Sequence, residues 1–462
     1  MIENKALISY LQTLENLDAA SFLAAPAEPR TIRLNRLRLN EPKELLARYR
    51  EQGFRFKALP FTGEGFLLHQ APYSLGRTMD FFSGKLTFQG ASSQLPALAL
   101  DPGPGERVLD MAASPGSKST QMAALMENRG QLVINDVNRD RLQALNANVL
   151  RQGVMNAAVY NLPGERLGRL MPEYFDAVLL DTPCSGLGTL SSHPEIWSWW
   201  RPERLQKLTY VQRQLMVSAV KTLKQGGRLV YSTCSVAPEE NEAIIDWALK
   251  HYPLELEGIE HVGMEMLDPG WRLEGQAVLE RCKRVWPHKH NMEGFFVARL
   301  RKTDRYYNHH DAPPQYNLSF VPHNDPRVAD VLAAISEAWG IDPLFWRDKR
   351  FRRTSKRLWV SSAGESYLPE ERFMSGGLFF GVERRPVWKL THHAIQTLGH
   401  RITRRRIRLS DNDFKTLTKE GRVDEKSLPR GYYALEFKGE PVMAVFKEEG
   451  YLRVRLPQEL DV

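Results

Sequence analysis

Two cysteines stand just past apolar runs that end in polar residues: Leu180-Asp181-Thr182-Pro183-Cys184-Ser185-Gly186 and Tyr231-Ser232-Thr233-Cys234-Ser235. If the two runs are neighbouring strands, both thiols leave the sheet at one edge and face one crevice. A lone buried cysteine is most often a small hydrophobe, but two at strand ends favour chemistry. A thiolate adds reversibly to an electron-poor carbon. Carbon 6 of cytosine is such a carbon, and addition there makes carbon 5 a nucleophile. The third cysteine, Cys282, falls inside a predicted strand and reads as packing. Three cysteines so far apart fit neither a disulfide framework nor the paired spacing of a zinc site, so no metal is expected.

A second constellation lies upstream. Asp110 ends an apolar run and is followed by Met111 and then by Ala112-Ala113-Ser114-Pro115-Gly116-Ser117-Lys118, small residues ahead of a helix. At the first crossover of a doubly wound sheet, such a turn brings backbone amides to a nucleotide. A plain tight turn is the alternative. Neither GxGxxG nor GxxxxGK[ST] is present, so no dinucleotide or triphosphate loop is supported. Asp136 closes the next strand, where a carboxylate accepts hydrogen bonds from both ribose hydroxyls; a cap on the following helix is the alternative. Loop and carboxylate together favour a nucleoside ligand.

A doubly wound α/β sheet would gather these motifs. Over residues 96–302, apolar strands alternate with amphipathic helices, as in a parallel sheet covered on both faces. The pattern predicts strands at 107–111, 131–136, 157–161, 175–181 and 227–232, with helices between them, notably over 202–223 and 239–250. Strands at 279–286 and 294–300 complete seven as an antiparallel edge pair. Residues 1–95 read as a small α+β module: helices over 4–25, then a βαβ unit with strands at 31–39 and 56–60 around a helix at 41–52. Residues 303–322 lack periodicity and read as a linker, followed by a C-terminal region over 323–462.

The motifs, taken in order, resemble those of the Nop/Sun family of RNA cytosine-5 methyltransferases. Within it they are most similar to the bacterial branch acting on 16S rRNA, the RsmF type. The resemblance spans roughly residues 30–300. It rests on Arg33-Leu34-Asn35, Gln89-Gly90-Ala91-Ser92-Ser93, the Asp110 to Lys118 loop and the two cysteine motifs. Pro238-Glu239-Glu240-Asn241, the stretch from Arg284 to His288, and Gly294-Phe295-Phe296 complete it. It implies a Rossmann-like class I methyltransferase domain, an RRM-like N-terminal module and a PUA-like, RNA-binding C-terminal α+β region. It implies S-adenosyl-L-methionine bound by Ala112, Ala113, Ser114, Pro115, Gly116, Ser117, Lys118, Asp136 and Asp181. It makes Cys234 the nucleophile and Cys184 the group that assists release, with Lys118 and Asp181 also orienting the cytosine. The swapped roles, as in DNA cytosine methyltransferases, are disfavoured by the Thr233-Cys234 pair. Ser114, Ser117 and Thr182 depart mildly from the family pattern, and Pro163 replaces a usual acidic cofactor contact. Pro163 and the basic tail leave open a non-catalytic RNA-binding assembly factor, and a tRNA substrate is a further alternative.

Composition sets the frame. A chain of 462 residues exceeds one ordinary core, and 42% hydrophobic with 26% charged residues suits a folded protein. No apolar run reaches the ~20 residues of a membrane span, and the first residues lack a basic-then-apolar pattern, so the expected location is cytoplasmic. The net charge of +8 favours a polyanionic partner. Arg347 to Arg357, with Trp346, Phe351 and Trp359 interleaved, and the Arg401, Arg404, Arg405, Arg406, Arg408 group read as RNA-backbone contacts, as do Arg33, Arg36 and Arg38. Trp197, Trp199 and Trp200 are candidates for the substrate side, with packing as the alternative.

Overall fold

The computed structural model describes residues 4–39, 41–273, 276–306, 320–364, 369–384 and 387–456. Residues 307–319 of the expected linker therefore lie outside the described residues. Two short helices, α1 (Lys5–Thr13) and α2 (Ala19–Ala24), begin the chain, capped by the side chains of Asn4 and Asp18. Then come β1 (Thr31–Leu34), α3 (Pro42–Glu51), β2 (Arg55–Ala58), β3 (Gly65–Gln70), α4 (Met79–Phe82) and β4 (Leu86–Phe88). The strands form one antiparallel sheet in the order β2-β3-β1-β4, the βαββαβ topology of RRM-like folds. The expected βαβ unit is corrected, because β3 lies between β1 and β2. The first strand also stops at Leu34: Asn35 is fully buried and spends its amide on the carbonyls of Gly84 and Gln152 (2.9 Å each), which turns the chain away.

Helix α5 (Ala91–Leu100) crosses into the central unit. It is followed by β5 (Arg107–Asp110), α6 (Ser117–Leu125), β6 (Gln131–Asn135), α7 (Arg141–Arg151), β7 (Ala157–Tyr160), α8 (Leu167–Leu170) and β8 (Phe175–Asp181). Then come α9 (Ile196–Trp199), α10 (Pro202–Thr222), β9 (Leu223–Thr233), α11 (Glu242–His251), β10 (Leu254–Glu257), β11 (Asp268–Pro269), β12 (Lys283–Val285), α12 (Pro287–His290) and β13 (Phe295–Lys302). Strands β5 to β9 are mutually parallel in the order β7-β6-β5-β8-β9, so the chain reverses direction across the sheet between β5 and β8. That reversal opens a crevice at the carboxyl edge. Apolar strands such as Phe175–Asp181 are covered on both faces. Leu142, Leu145 and Val149 of α7, three and four residues apart, fill one face with α5 and α6; Leu215 and Met216 of α10 and Ile244 and Ile245 of α11 fill the other.

The expected seven strands become ten among the described residues. Strands β10 and β11 are additions, and the predicted strand over 279–286 is a 3₁₀ turn, Ala277–Arg281, before β12. Cys282 is buried, just ahead of that strand rather than inside it. The tenth strand comes from the C-terminal region. That region runs β14 (Val321–Pro322), α13 (Ala329–Trp339), β15 (Arg350–Thr354), β16 (Arg357–Ser361), β17 (Phe373–Gly376), β18 (Leu378–Val382), β19 (Lys389–Leu390) and α14 (His392–Leu398). It continues with β20 (Arg406–Arg408), α15 (Asp411–Glu420), β21 (Arg422–Asp424), β22 (Gly431–Phe437), β23 (Glu440–Lys447) and β24 (Tyr451–Arg453). Strand β17 pairs antiparallel with β7 and covers the exposed edge of the central sheet. The other C-terminal strands form two five-stranded sheets, β14-β15-β16-β18-β19 and β20-β22-β23-β24-β21.

Candidate active site

The turn after β5 is built as its residue types suggest. Ala113 N donates to Asn135 O (2.9 Å) and Gly116 N to Ala113 O (2.7 Å), so the loop folds over the end of β6. Gly116 sits at φ 93°, and a Cβ there would lie 3.3 Å from the Leu145 side chain, which is why glycine precedes α6. Asp136 accepts from Ser114 N (2.9 Å) through one oxygen and from Asn138 N (2.7 Å) through the other. It thus ties the loop to the end of β6, as a local turn-forming carboxylate does. Past β7, Asn161 Nδ2 donates to the carbonyls of Asp136 and Val137 (2.9 Å each), and Pro163 starts a 3₁₀ turn. Asp110 is buried, takes the hydroxyl of Ser119 (2.6 Å), and has its pKa pushed up to about 7 by burial.

Among the described residues, Asp110 Oδ1, Ser114 Oγ and Thr182 Oγ1 are buried yet make no hydrogen bond. All three belong to segments leaving the carboxyl edge of β5 and β8. Buried polar atoms are normally paired, so these three fit a polar ligand. Ala112 to Lys118, Asp136 and Asp181 are all brought to this crevice.

Lys118 links the turn to the thiols. Its ammonium lies 2.7 Å from Asp181 and 5.4 Å from the centre of the Phe295 ring. Burial opposes its charge, but Asp181, Asp110 and Cys234 outweigh that and raise its pKa. Asp181 also accepts the hydroxyl of Ser232 (2.7 Å). Cys184 and Cys234 follow β8 and β9 with their sulfurs 3.2 Å apart, both unbridged and partly buried. The hydrogen bond to Cys234, then burial, push the Cys184 pKa well above the usual thiol range, so Cys184 keeps its proton.

A buried carboxylate holds the two thiol segments together. Glu240, fully buried, accepts from Ser185 N (2.9 Å), the Ser185 hydroxyl and Gln212 Nε2 (3.0 Å). Its backbone carbonyl takes the Tyr231 hydroxyl (2.6 Å). Ser185 Oγ and Ser235 Oγ, one residue past each cysteine, are 2.9 Å apart. Asn241 bonds Thr233 Oγ1 (2.7 Å) and Ser235 O (3.0 Å), and Arg284 is buried against Glu242 while donating to Val236 O (3.0 Å). Gly188 N donates to Cys234 O (2.9 Å) and Gly294 N to Gly188 O (2.8 Å). Glu240 and Gly294 enter the sequence reading only as members of motifs, with no role assigned, and Gln212 and the Gly188–Gly294 contact do not enter it; the spacing of Pro238-Glu239-Glu240-Asn241 after the Thr-Cys motif is the signal that points to Glu240.

Several sequence candidates lie elsewhere. Trp200 is buried, and Trp197 and Trp199 pack in the same cluster with α1 and α2; Asn4 bonds the carbonyls of Trp197 and Trp200. Arg33 is 2% exposed and donates to Gln89, Thr120 and Gln152, while Arg38 donates to Arg151 O and burial pulls its pKa to about 9. Neither is a backbone contact for RNA. Arg36 is exposed and paired with Glu64. Trp346 and Phe351 belong to the C-terminal core, and Arg406 and Arg408 pair with the buried Glu436. The described residues contain no group of side chains arranged to hold a metal, and none of their helices is long and apolar enough to cross a membrane.

Comparison with known proteins agrees with the fold and the motifs. Residues 97–301 match the family described as 16S rRNA methyltransferase RsmB/F. The chain is 35% identical over 396 residues to ribosomal RNA small subunit methyltransferase F of Escherichia coli (strain SE11), covering 82% of this chain and 79% of that one. Its counterpart from Shigella boydii is 36% identical over 397 residues with the same coverage. Among solved structures, a methyltransferase homolog protein from Pyrococcus horikoshii is 36% identical, with a TM-score of 0.55 over 62% of this chain and 89% of that one. NSun6 from the same organism, crystallised with SFG, shares the fold at 24% identity and a TM-score of 0.58, over 66% of this chain and 100% of that one.

Proposed function

The chain belongs to the 16S rRNA methyltransferase RsmB/F family, and from that membership we propose that it methylates carbon 5 of a cytosine in small-subunit ribosomal RNA. The methyl donor in this reading is S-adenosylmethionine, held by Ala112 to Lys118, Asp136 and Asp181. The unpaired buried oxygens on Asp110, Ser114 and Thr182 fit a ligand of that polarity. When bound, the donor supplies an electrophilic methyl group.

The observation that carries the reading is the pair of sulfurs 3.2 Å apart beside the Lys118–Asp181 ion pair. The Cys234 thiolate forms a bond to carbon 6, and the ring's electron pair moves to carbon 5. Lys118 stabilises the negative charge that builds on the ring. After carbon 5 has taken the methyl group, its hydrogen must leave as a proton while the carbon–sulfur bond breaks. The main cause of the high Cys184 pKa is its hydrogen bond to Cys234. Once Cys234 is a thioether that support is gone while burial and Glu240 still favour the thiol; in this reading Cys184 gives its own proton to solvent and accepts the one from carbon 5. The electrons of the carbon–hydrogen bond restore the ring double bond, and Cys234 leaves as a thiolate. A base paired inside a helix must first leave its stack.

Cys234→Ala abolishes methyl transfer while retaining donor binding, measured by incorporation of labelled methyl and by calorimetric titration. Cys184→Ala accumulates a protein–RNA adduct that survives denaturing electrophoresis. Turnover by Cys234→Ala at the wild-type rate would overturn the mechanism. Mapping the product by bisulfite sequencing of small-subunit RNA distinguishes this substrate from tRNA.

A further inference from the structure

The two thiols of the crevice are placed for a reaction with each other. Cys184 and Cys234 follow the neighbouring parallel strands β8 and β9, in which Asp181 stands opposite Ser232. Strands so paired run ~4.8 Å apart, inside the span that a disulfide bridges. The sulfurs lie 3.2 Å apart, so closing a bond of ~2.05 Å asks for little more than ~1 Å of side-chain movement. The two segments cannot drift apart. Thr182 N donates to Ser232 O (3.1 Å), the Ser185 and Ser235 hydroxyls meet at 2.9 Å, and Gly188 N donates to Cys234 O (2.9 Å). Lys118 supplies a cation, and Cys234 is among the groups that raise its pKa. Cys184 and Cys234 are both partly exposed, whereas Cys282 is fully buried and bonded to neither.

We propose that Cys184 and Cys234 form a peroxide-sensitive modification site, closing to an intrachain disulfide that switches the enzyme off until a thiol reductant reopens it. The oxidant is a hydroperoxide, hydrogen peroxide in the simplest case. The Cys234 thiolate attacks one peroxide oxygen: a sulfur–oxygen bond forms, the oxygen–oxygen bond breaks, and the departing hydroxide takes up a proton to leave as water. The sulfur gives up two electrons and becomes a sulfenic acid. The Cys184 sulfur then attacks that of Cys234, the sulfur–sulfur bond forms, and the hydroxyl leaves as water with the proton that Cys184 held. Two thiols and one peroxide give one disulfide and two waters. A single thiol at such a site passes on to the sulfinic acid, which thiols do not reduce; here a neighbour 3.2 Å away intercepts it first. The switch rests on the reading of Cys234 as nucleophile, since bonding it to Cys184 removes the group that adds to carbon 6. The bond itself forms whatever the chain methylates.

The test treats the reduced full chain with hydrogen peroxide and reads thiols, linkage and methyl transfer together. Thiols titrated under denaturing conditions fall from the three of the sequence to about one per chain. Mass spectrometry of the digest finds the peptide with Cys184 joined to the peptide with Cys234. Methyl transfer falls at least about tenfold in step with the lost thiols and returns to within about twofold of its starting rate on adding dithiothreitol. Cys282→Ala loses and regains activity as the wild type does. Cys184→Ala yields no linked peptide, and dimedone labels its Cys234 at least about tenfold more than in the wild type. Survival of all three thiols, linkage between chains rather than within one, or a sulfinic acid at Cys234 as the main product would overturn the site. A linked pair that leaves methyl transfer unchanged would overturn the switch. A linked pair in a chain that methylates no RNA would support the modification site and overturn the reaction; methyl transfer by a chain whose thiols never link would do the reverse.

Discussion

At the scale of single residues, the site is a set of charges placed where burial alone would not allow them. Asp110 holds its proton up to about pH 7 in the fold, whereas an unfolded aspartate loses it near pH 4. Between those values the native state binds the extra proton, so this group's contribution to stability falls as pH rises. Asp110→Asn therefore stabilises the ligand-free protein at pH 8, by at most about 4 kcal/mol, and gives no gain below pH 4. Urea midpoints at both pH values check this; equal midpoints at pH 8 would contradict it. Glu240 is the residue that couples the cysteine segments, and Glu240→Gln places an amide where Ser185 already donates. Thiol positions then shift by fractions of an ångström, and kcat falls about 10- to 100-fold while the KM for the methyl donor stays within threefold. A proportional rise in that KM would mean that Glu240 acts on the donor site instead.

At the scale of elements, the nucleotide-loop motif and the two cysteine motifs each end a strand at the same carboxyl edge, and that much is legible from apolar runs and their polar stops. Asp110, Asp181 and Thr233 end β5, β8 and β9. What the pattern hides are contacts between segments distant in sequence. Gly188 is the sharpest example: a Cβ there would fall 2.1 Å from Gly294 O and 2.8 Å from Cys234 O. Gly188→Ala must push the segment carrying Cys234 away from Cys184, and methyl transfer falls at least about 100-fold with donor affinity retained. Single-turnover kinetics alongside donor titration separate the two quantities. The basic stretch Arg347 to Arg357 hides its packing partners for the same reason. Phe351 alternates with Arg350 and Arg352 on β15 and faces the core beside Leu358 and Val360 of β16, whereas Trp359 stands on the opposite face with its ring 5.0 Å from that of Phe379. Charge runs look alike whether a strand or a binding loop carries them.

At the scale of the molecule, the N-terminal module is locked to the central unit by buried polar contacts that periodicity cannot reveal. Arg33 reaches Gln89, Thr120 and Gln152, and Arg151 reaches back to Phe81, Leu86 and Thr87. Arg33→Met leaves three buried acceptors short of a donor and destabilises the protein by about 2–4 kcal/mol. Calorimetry then shows a separate low-temperature transition for residues before α5; a single transition at the wild-type midpoint would refute this coupling. The C-terminal region is bound in as firmly, because β17 supplies the outermost strand beside β7. That pairing joins Tyr160 to Phe373, positions about 210 residues apart, which at 5–20 residues per second take roughly 10–40 s to synthesise. During translation the nascent catalytic sheet therefore presents a bare flank for tens of seconds. A message truncated in that window leaves a product whose unpaired edge is open to neighbouring chains.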